Sequence, residues 1–415
     1  MEPGREPRSD QKTLERQIRA FHWVRLLAEI DGGRVAGGDG EREAAQRVES
    51  WMREIGFDEV ATEAVTSRPR PGAVLALHCG VGALGCLVGG IAGLLLAGLA
   101  VASLRREHAR GKAQLSRLLP APDATVVSAR AGPSRARQRL VLVAALDAPQ
   151  AGRLFEWPAS RRLLGRSGEA PVAAPAGLAG WLWRGLLAAT CACAASALGA
   201  SGALVQGALA ALALLLSAAA AAGIEWARAK PSPGANADAS GVAAMLTCGE
   251  QLLAQLRGDA ELWLLAAGGH EPGACGVRAF LESRGEDFAR DALFIHFDRV
   301  GGSALCRVRA EVGLTRLVHP PRLAELARRV AESGAFGEVR AVDWVGATSA
   351  APVVARDLDA LVLASLDEDG RARGDHRLAD LPEALDTAGI VRAADFAAAV
   401  AMAALRGESD PLALV

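Results

Sequence analysis

Tyrosine is absent from the 415 residues, and neither sign of charge is in surplus: 46 Lys and Arg stand against 47 Asp and Glu, a formal net charge of −1. Without a basic excess nothing drives binding to a phosphate backbone, so nucleic acid is excluded as a partner class. The missing tyrosine goes with abundant alanine and a preference for Arg over Lys, which reads as codon bias. The seven cysteines include no CxxC pair, which argues against a disulfide framework or a zinc knuckle. Cys79, Cys86, Cys191 and Cys193 lie in apolar runs and read as small hydrophobes. Met1 to Lys12 is polar and lacks the apolar core of a signal peptide. There is no GxSxG and no GxxxxGK[ST], so neither a serine-hydrolase elbow nor a phosphate loop is expected.

Two apolar stretches stand out, Ala73 to Leu104 and Leu178 to Ile224, the second broken only by Arg184. About 20 apolar residues cross a bilayer as a helix. The second stretch therefore accommodates two helices joined near Gly199-Ala200-Ser201-Gly202, with Trp181, Trp183 and Arg184 at one interface. The first is long for one span and short for two, with Gly89-Gly90 as the tip of a tight hairpin. Basic residues flank both: Arg68, Arg70, Arg105, Arg106, Arg110 and Lys112 around the first, Arg161, Arg162, Arg166, Arg228 and Lys230 around the second. The tips are uncharged. Because basic flanks favour the cytoplasmic side, the expectation is two transmembrane hairpins in the inner (cytoplasmic) membrane, a multi-pass protein with its remaining mass on the cytoplasmic face. The segments are then 1–72, 105–177 and 225–415 for a split soluble domain, and 73–104 and 178–224 for the hairpins. Neither stretch contains an acid, which disfavours a proton path. Gly82, Gly85, Gly89, Gly93 and Gly98 would let the first hairpin pack closely.

Outside the hairpins, helical and strand-like patterns alternate. Helices are expected over Gln11 to Ile30, Gly40 to Ile55, Gly241 to Leu256, Gly273 to Ser283, Pro321 to Ser333 and Pro382 to Ala404. Short β-type runs cover Glu59 to Ser67, Ala124 to Ala129, Leu140 to Leu146, Leu262 to Ala267, Leu293 to Phe297, Val339 to Trp344 and Ala360 to Ala364. All-apolar strands between helices imply an α/β fold: a mixed, mostly parallel sheet with helices on both faces. If the strands of Ala61, Val126 and Leu262 share one sheet, the chain returns to the same side after each hairpin, and each hairpin crosses an even number of times.

In open α/β sheets, ligands bind beyond the carboxyl ends of the strands. There the sequence places Asp147, His270-Glu271 and Asp298, together with a loop carrying Asp238 (Pro233 to Gly241) and Gly374-Asp375-His376, followed by Asp380 and Glu383. Carboxylates and imidazoles converging on one rim suit a divalent metal. His296 shares a strand face with Asp298 but lies deeper, and is assigned to packing.

The order and spacing of these segments resemble the bacterial zinc aminopeptidases (metallopeptidase family 28), whose relatives include glutamate carboxypeptidase, glutaminyl cyclase, transferrin receptor and nicastrin. Gly234-Ala235-Asn236 with Ser240-Gly241 is the most specific element. The early segment Asp31 to Gly37, followed by Glu41 and Ala45, is similar to that family's first helix entry. The hairpins resemble those of a membrane subgroup. The resemblance implies two zinc ions held by five side chains, with a glutamate as base. Carried over position by position, the first liganding His falls on Ala145, the bridging Asp on Ala237 and the base Glu on His270, while the supporting Asp147, Glu271, Asp298 and His376 are kept. One site keeps two of its three ligands and the other keeps one, so the resemblance implies at most one zinc ion, or none. The resulting expectation is a membrane-anchored pseudopeptidase that binds the lipid bilayer and a peptide or protein partner without cleaving it. The alternative is a single-zinc metallopeptidase, or an acyl-transfer enzyme resembling glutaminyl cyclase. In it Glu271, His376 and Asp238 hold the ion, and His270 or Asp298 handles protons.

Overall fold

The computed structural model describes residues 7–110, 114–133, 136, 138–255, 260–271, 273–285, 288 and 292–406. Two N-terminal helices, α1 (Pro7–Ala28) and α2 (Asp39–Glu54), lead into β1 (Glu59–Thr66). On α2 the apolar residues recur at helical spacing, so Ala44, Ala45, Val48, Trp51 and Met52 are all buried. Trp51 meets Trp23 of α1 with ring centroids 6.1 Å apart. Two apolar helices follow, α3 (Pro71–Val88) and α4 (Gly90–Arg110), then β2 (Asp123–Ala131) and β3 (Gln138–Ala145). A second apolar pair, α5 (Gly177–Ala197) and α6 (Ala203–Arg228), precedes α7 (Ser240–Gln255), β4 (Ala260–Ala267), α8 (Cys275–Arg284) and β5 (Ala292–Phe297). The chain ends with β6 (Leu305–Val312), β7 (Arg316–Val318), α9 (Pro321–Glu332), β8 (Arg340–Val345), β9 (Ala360–Ser365) and α10 (Thr387–Arg406).

The strands form one sheet in the order β1-β2-β4-β3-β5-β9-β6-β7, with β8 also paired to β6. The central strands β4, β3, β5 and β9 are parallel. Both flanks contain antiparallel pairs: β1 with β2 and β2 with β4 on one side, β9 with β6 and β6 with β7 on the other. The sheet is thus evenly mixed and not mostly parallel as the strand-helix alternation implied. The difference comes from adjacent antiparallel strands at both ends and from β6 and β7, which the strand pattern of the sequence did not mark. Helices cover both faces. One core packs α1, α2, α7, α9 and α10 against Leu140, Leu142, Leu264 and Ile295; the other packs α8 against Val141, Val143, Leu265 and Phe294. Burying each such side chain contributes about 1.5–3 kcal/mol.

Both stretches resolve into helix pairs, and α3, α4, α5 and α6 pack into one bundle with its own interior of Leu75, Cys79, Ala97, Leu186, Ala213 and Leu216. The helices start earlier and end later than the apolar runs. Consequently α4 includes Glu107, whose carboxylate accepts bonds from Ser103 Oγ at 3.0 Å and Ser116 Oγ at 2.9 Å. Gly89 (φ +64°) makes the tip of the first pair. A Cβ on Gly93 would lie 2.3 Å from the Gly85 carbonyl oxygen, so α3 and α4 touch through backbone there; Gly98, by contrast, faces open space. Outside the bundle's interior, Leu87, Leu95, Leu198, Leu204 and Leu214 are each between 69% and 89% exposed. By length and composition α3, α5, α6 and α10 could each cross a membrane, but 72% of the apolar window of α10 is buried inside the folded chain. The antiparallel pairing of Ala61 with Ser128, and of Val126 with Ala267, fixes both ends of each helix pair to one sheet.

Candidate functional site

The sheet's carboxyl rim is assembled around buried backbone turns. β4 ends in Gly268-Gly269, where a Cβ on Gly268 would lie 2.3 Å from Glu41 Oε1, so only glycine fits. The Glu41 carboxylate accepts N–H bonds from Gly37 (2.9 Å), Thr125 (3.0 Å) and Gly269 (3.2 Å), tying α2 to β2 and β4. Burial, reinforced by the charge of Asp147, pushes the Glu41 carboxyl up to about 8 against those donors. At the end of β3, Asp147 is fully buried and accepts from the His270 N–H at 2.7 Å and the Glu271 N–H at 3.2 Å. It therefore fixes the turn that carries both residues. Burial raises its carboxyl above the usual range.

Residues 235–239 form a π-helical turn leading into α7, a conformation that often marks functional positions. Asp380 holds it, accepting N–H bonds from Asn236 (2.8 Å) and Ala237 (3.0 Å), and burial pushes Asp380 up to about 6. Ala237, where the resemblance places the bridging acid, has no side chain that could bind a metal. Asp238 is 1% exposed and both carboxylate oxygens lack a hydrogen-bond donor. Burial and the charge of Asp147 raise its carboxyl well above the usual range, while Arg34 and Arg299 act the other way. Asp238 is thus turned into the protein instead of toward solvent. Beside it Arg34, 1% exposed, spends its guanidinium on the carbonyls of Leu27, Leu146 (3.2 Å), Pro233 (3.0 Å) and Gly234 (3.0 Å).

The residues that the resemblance marks as metal ligands divide into two groups. Glu271 Oε2 lies 3.4 Å from His376 Nε2. The His376 ring stacks on Phe155 at 4.2 Å and meets the edge of Trp226, the last aromatic of α6, at 5.6 Å. A helix of the apolar bundle thereby touches the rim of the site. Asp298 pairs with Arg299, a residue that no motif in the sequence singles out. The Arg299 guanidinium is 5% exposed and faces Asp298, Asp375 (Nε to Oδ1, 3.0 Å) and Glu271 (Nη2 to Oε1, 3.7 Å). Burial opposes its charge, but Asp298, Asp375, Glu271 and Asp238 outweigh that and hold the guanidinium protonated far above its usual range. Asp375 is held below the usual carboxylate range, because the Arg299 charge overcomes the effect of burial.

His270 is 7% exposed with Nδ1 unpartnered, and no hydrogen bond joins its ring to Asp298 or Glu271. His296 is fully buried, with Nδ1 2.9 Å from Ser349 Oγ, and burial lowers its imidazole to about 3. Among the described residues no three His, Cys, Asp or Glu side chains are grouped so as to hold a metal ion. The acids fit a guanidinium as they stand, and do not fit a catalytic zinc, which needs three protein ligands and an open position.

No family profile matches the sequence, and no curated protein matches it. The fold is similar to solved structures. A zinc aminopeptidase from Bacillus subtilis superposes with a TM-score of 0.54 at 14% identity, covering 94% of each chain. The LapA aminopeptidase of Legionella pneumophila gives 0.53 at 10% identity, over 97% of this chain and 75% of that one. The glutaminyl cyclase of Fimbriiglobus ruber gives 0.53 at 14% identity, over 92% and 93%. The chain therefore has the fold of bacterial zinc aminopeptidases and glutaminyl cyclases.

Proposed function

We propose that this chain is a membrane-anchored pseudopeptidase: a zinc-aminopeptidase-like domain held at the cytoplasmic face of the inner membrane by its four-helix bundle, where it binds a peptide or protein partner without cleaving it. The observation that carries the reading is Arg299. Its guanidinium neutralises Asp298 and Asp375 and reaches Glu271, which leaves two of the retained ligands already engaged with a cation. The substitutions at Ala145, Ala237 and His270 remove donors and the base from the same rim. The exposed apolar surface of the bundle supports the anchor, since a lipid environment satisfies it without further cost.

One observation favours a second reading, a single-zinc enzyme. Glu271 and His376 are in contact, and the buried Asp238 carboxylate has no donor. Swinging Arg299 away would release Glu271, and Asp238 and His376, which Arg299 does not hold, could then join it around one ion. Elemental analysis of detergent-purified protein, incubated with zinc at neutral pH, separates the two. The pseudopeptidase reading expects no stoichiometric metal and no chelator-sensitive hydrolysis of aminoacyl substrates. About one zinc ion per chain, lost in a Glu271→Ala, His376→Ala double variant, would establish the second.

A further inference from the structure

A narrow cleft lies where the soluble domain meets the bundle, lined by Arg68, Arg70, Gln150, Trp226 and Glu271 together with short apolar residues. Its acid is already engaged: Glu271 faces Arg299 and His376. Its cations are not. Arg68 Nη2 is buried without a hydrogen-bond partner, and Arg70 contributes one bond, to the Ala227 carbonyl at 3.1 Å. Arg278 lies outside the lining, yet the charge of Arg68 reaches it: burial, and next that charge, lower its proton affinity. Its Nε is also buried and unpartnered. Neither Arg68 nor Arg70 has a carboxylate partner among the described residues. Two cations beside an acid that is already engaged, with one donor buried and idle, make a site for an anion.

The position of the cleft narrows the choice of anion. Pro71 is the first residue of α3, and Gly72 packs so closely on α6 that a Cβ there would lie 2.5 Å from the Ala227 nitrogen. Residues 70–72 and 223–227 therefore mark one level, the root of the bundle. Ile224, on the bundle side, is 45% exposed, while Arg228 and Lys230 follow toward the domain. In a membrane-anchored chain this is headgroup level, where an indole such as Trp226 also sits comfortably. The planar guanidinium matches paired phosphate oxygens.

We propose that Arg68 and Arg70 form a binding site at the root of the bundle for the phosphate group of an anionic phospholipid. The proposal rests on the membrane reading above and adds a ligand to it. The full chain is floated with vesicles of phosphatidylcholine, with and without phosphatidylglycerol, and lipid retained after detergent extraction from an equal mixture is then measured by mass spectrometry. The wild type is expected to retain phosphatidylglycerol over phosphatidylcholine by on the order of tenfold, the effect of two basic residues at an anionic surface. An Arg68→Gln, Arg70→Gln variant is expected to lose that preference while still floating. Arg68→Lys, Arg70→Lys, which keeps the charge, is expected to keep part of it. Arg105→Gln, Arg106→Gln, exposed cations at the domain end of α4 but outside the lining of the cleft, is expected to keep most of it. A preference that survives in the Gln variant, or falls equally in the Arg105, Arg106 variant, would overturn the site. Displacement of the lipid by millimolar inorganic phosphate would overturn the lipid as its source. Wild-type protein that fails to float would remove the membrane reading and this site together. Flotation without lipid preference would remove the site alone.

Discussion

Arg299 was hidden from sequence reasoning by a rule that usually holds. Consecutive residues on a strand point to opposite faces, so Asp298 and Arg299 should not meet. Past the end of β5, however, Arg299 adopts φ +58°, uncommon for a non-glycine residue, and its guanidinium folds back onto its neighbour. The rim acids Glu271, Asp298 and Asp375 were legible because each closes an apolar run or opens a turn; the cation between them was not, because nothing local marks a left-handed residue. Replacing Arg299 with Ala strands three carboxylates and should cost about 3–5 kcal/mol, as for other broken buried ion pairs. Urea denaturation with and without zinc checks this: zinc should restore part of the loss in the variant and leave the wild type unchanged, and an equally stable variant would refute the counter-ion role. Glu41 and Asp380 carry a second expectation. Their folded-state values, about 8 and about 6, lie above their ordinary values of 4.5 and 3.8. The folded protein therefore holds protons that the unfolded chain releases, so their contribution is complete below about pH 4 and is lost as pH rises to about 8. Between about pH 4 and about pH 8 the wild type should lose urea midpoint relative to Glu41→Gln, and a constant difference between the two would refute the Glu41 contribution.

At the scale of elements, most helices and strands follow from pattern alone, since the central strands are continuous apolar runs and the helices carry clear periodicity. β6 was missed although Leu305, Arg307, Arg309 and Glu311 alternate with Cys306, Val308, Ala310 and Val312 as a strand requires. Its arginines resemble a loop until Asp343 of the neighbouring β8 supplies a partner, 2.8 Å from Arg309. α10 illustrates the opposite difficulty: its composition matches a membrane helix, and only its packing against α7, α1 and α9 distinguishes it. In the bundle, the small residues sort by what they face. Gly93→Leu should separate α3 from α4, because its first side-chain carbon already collides with the Gly85 carbonyl, whereas Gly98→Leu should be tolerated. Thermal unfolding of the two variants in detergent, with Tm lowered by several degrees only in the first, is the measurement.

For the whole molecule, sheet and bundle constrain one another. Strands on either side of each helix pair, β1 with β2 and β3 with β4, are hydrogen-bonded neighbours, so the tips of both pairs must lie on the side away from the domain. In a cysteine-labelling experiment on intact cells, with the exposed Cys191 first changed to Ala, Ile91→Cys and Ala200→Cys should both react with an impermeant reagent, and a cysteine on the exposed face of α9 should not. Labelling of one tip alone would break the topology. The paired acids of the rim bear on how such a protein matures. A metal centre has to be loaded, and its ions must be won from whatever the cell holds in supply. Here the positive charge at that rim is part of the polypeptide and arrives with translation. If the domain is the metal-free pseudopeptidase proposed above, it reaches its final state as soon as it has folded and keeps that state through zinc starvation, when zinc enzymes of the same shape would be emptied.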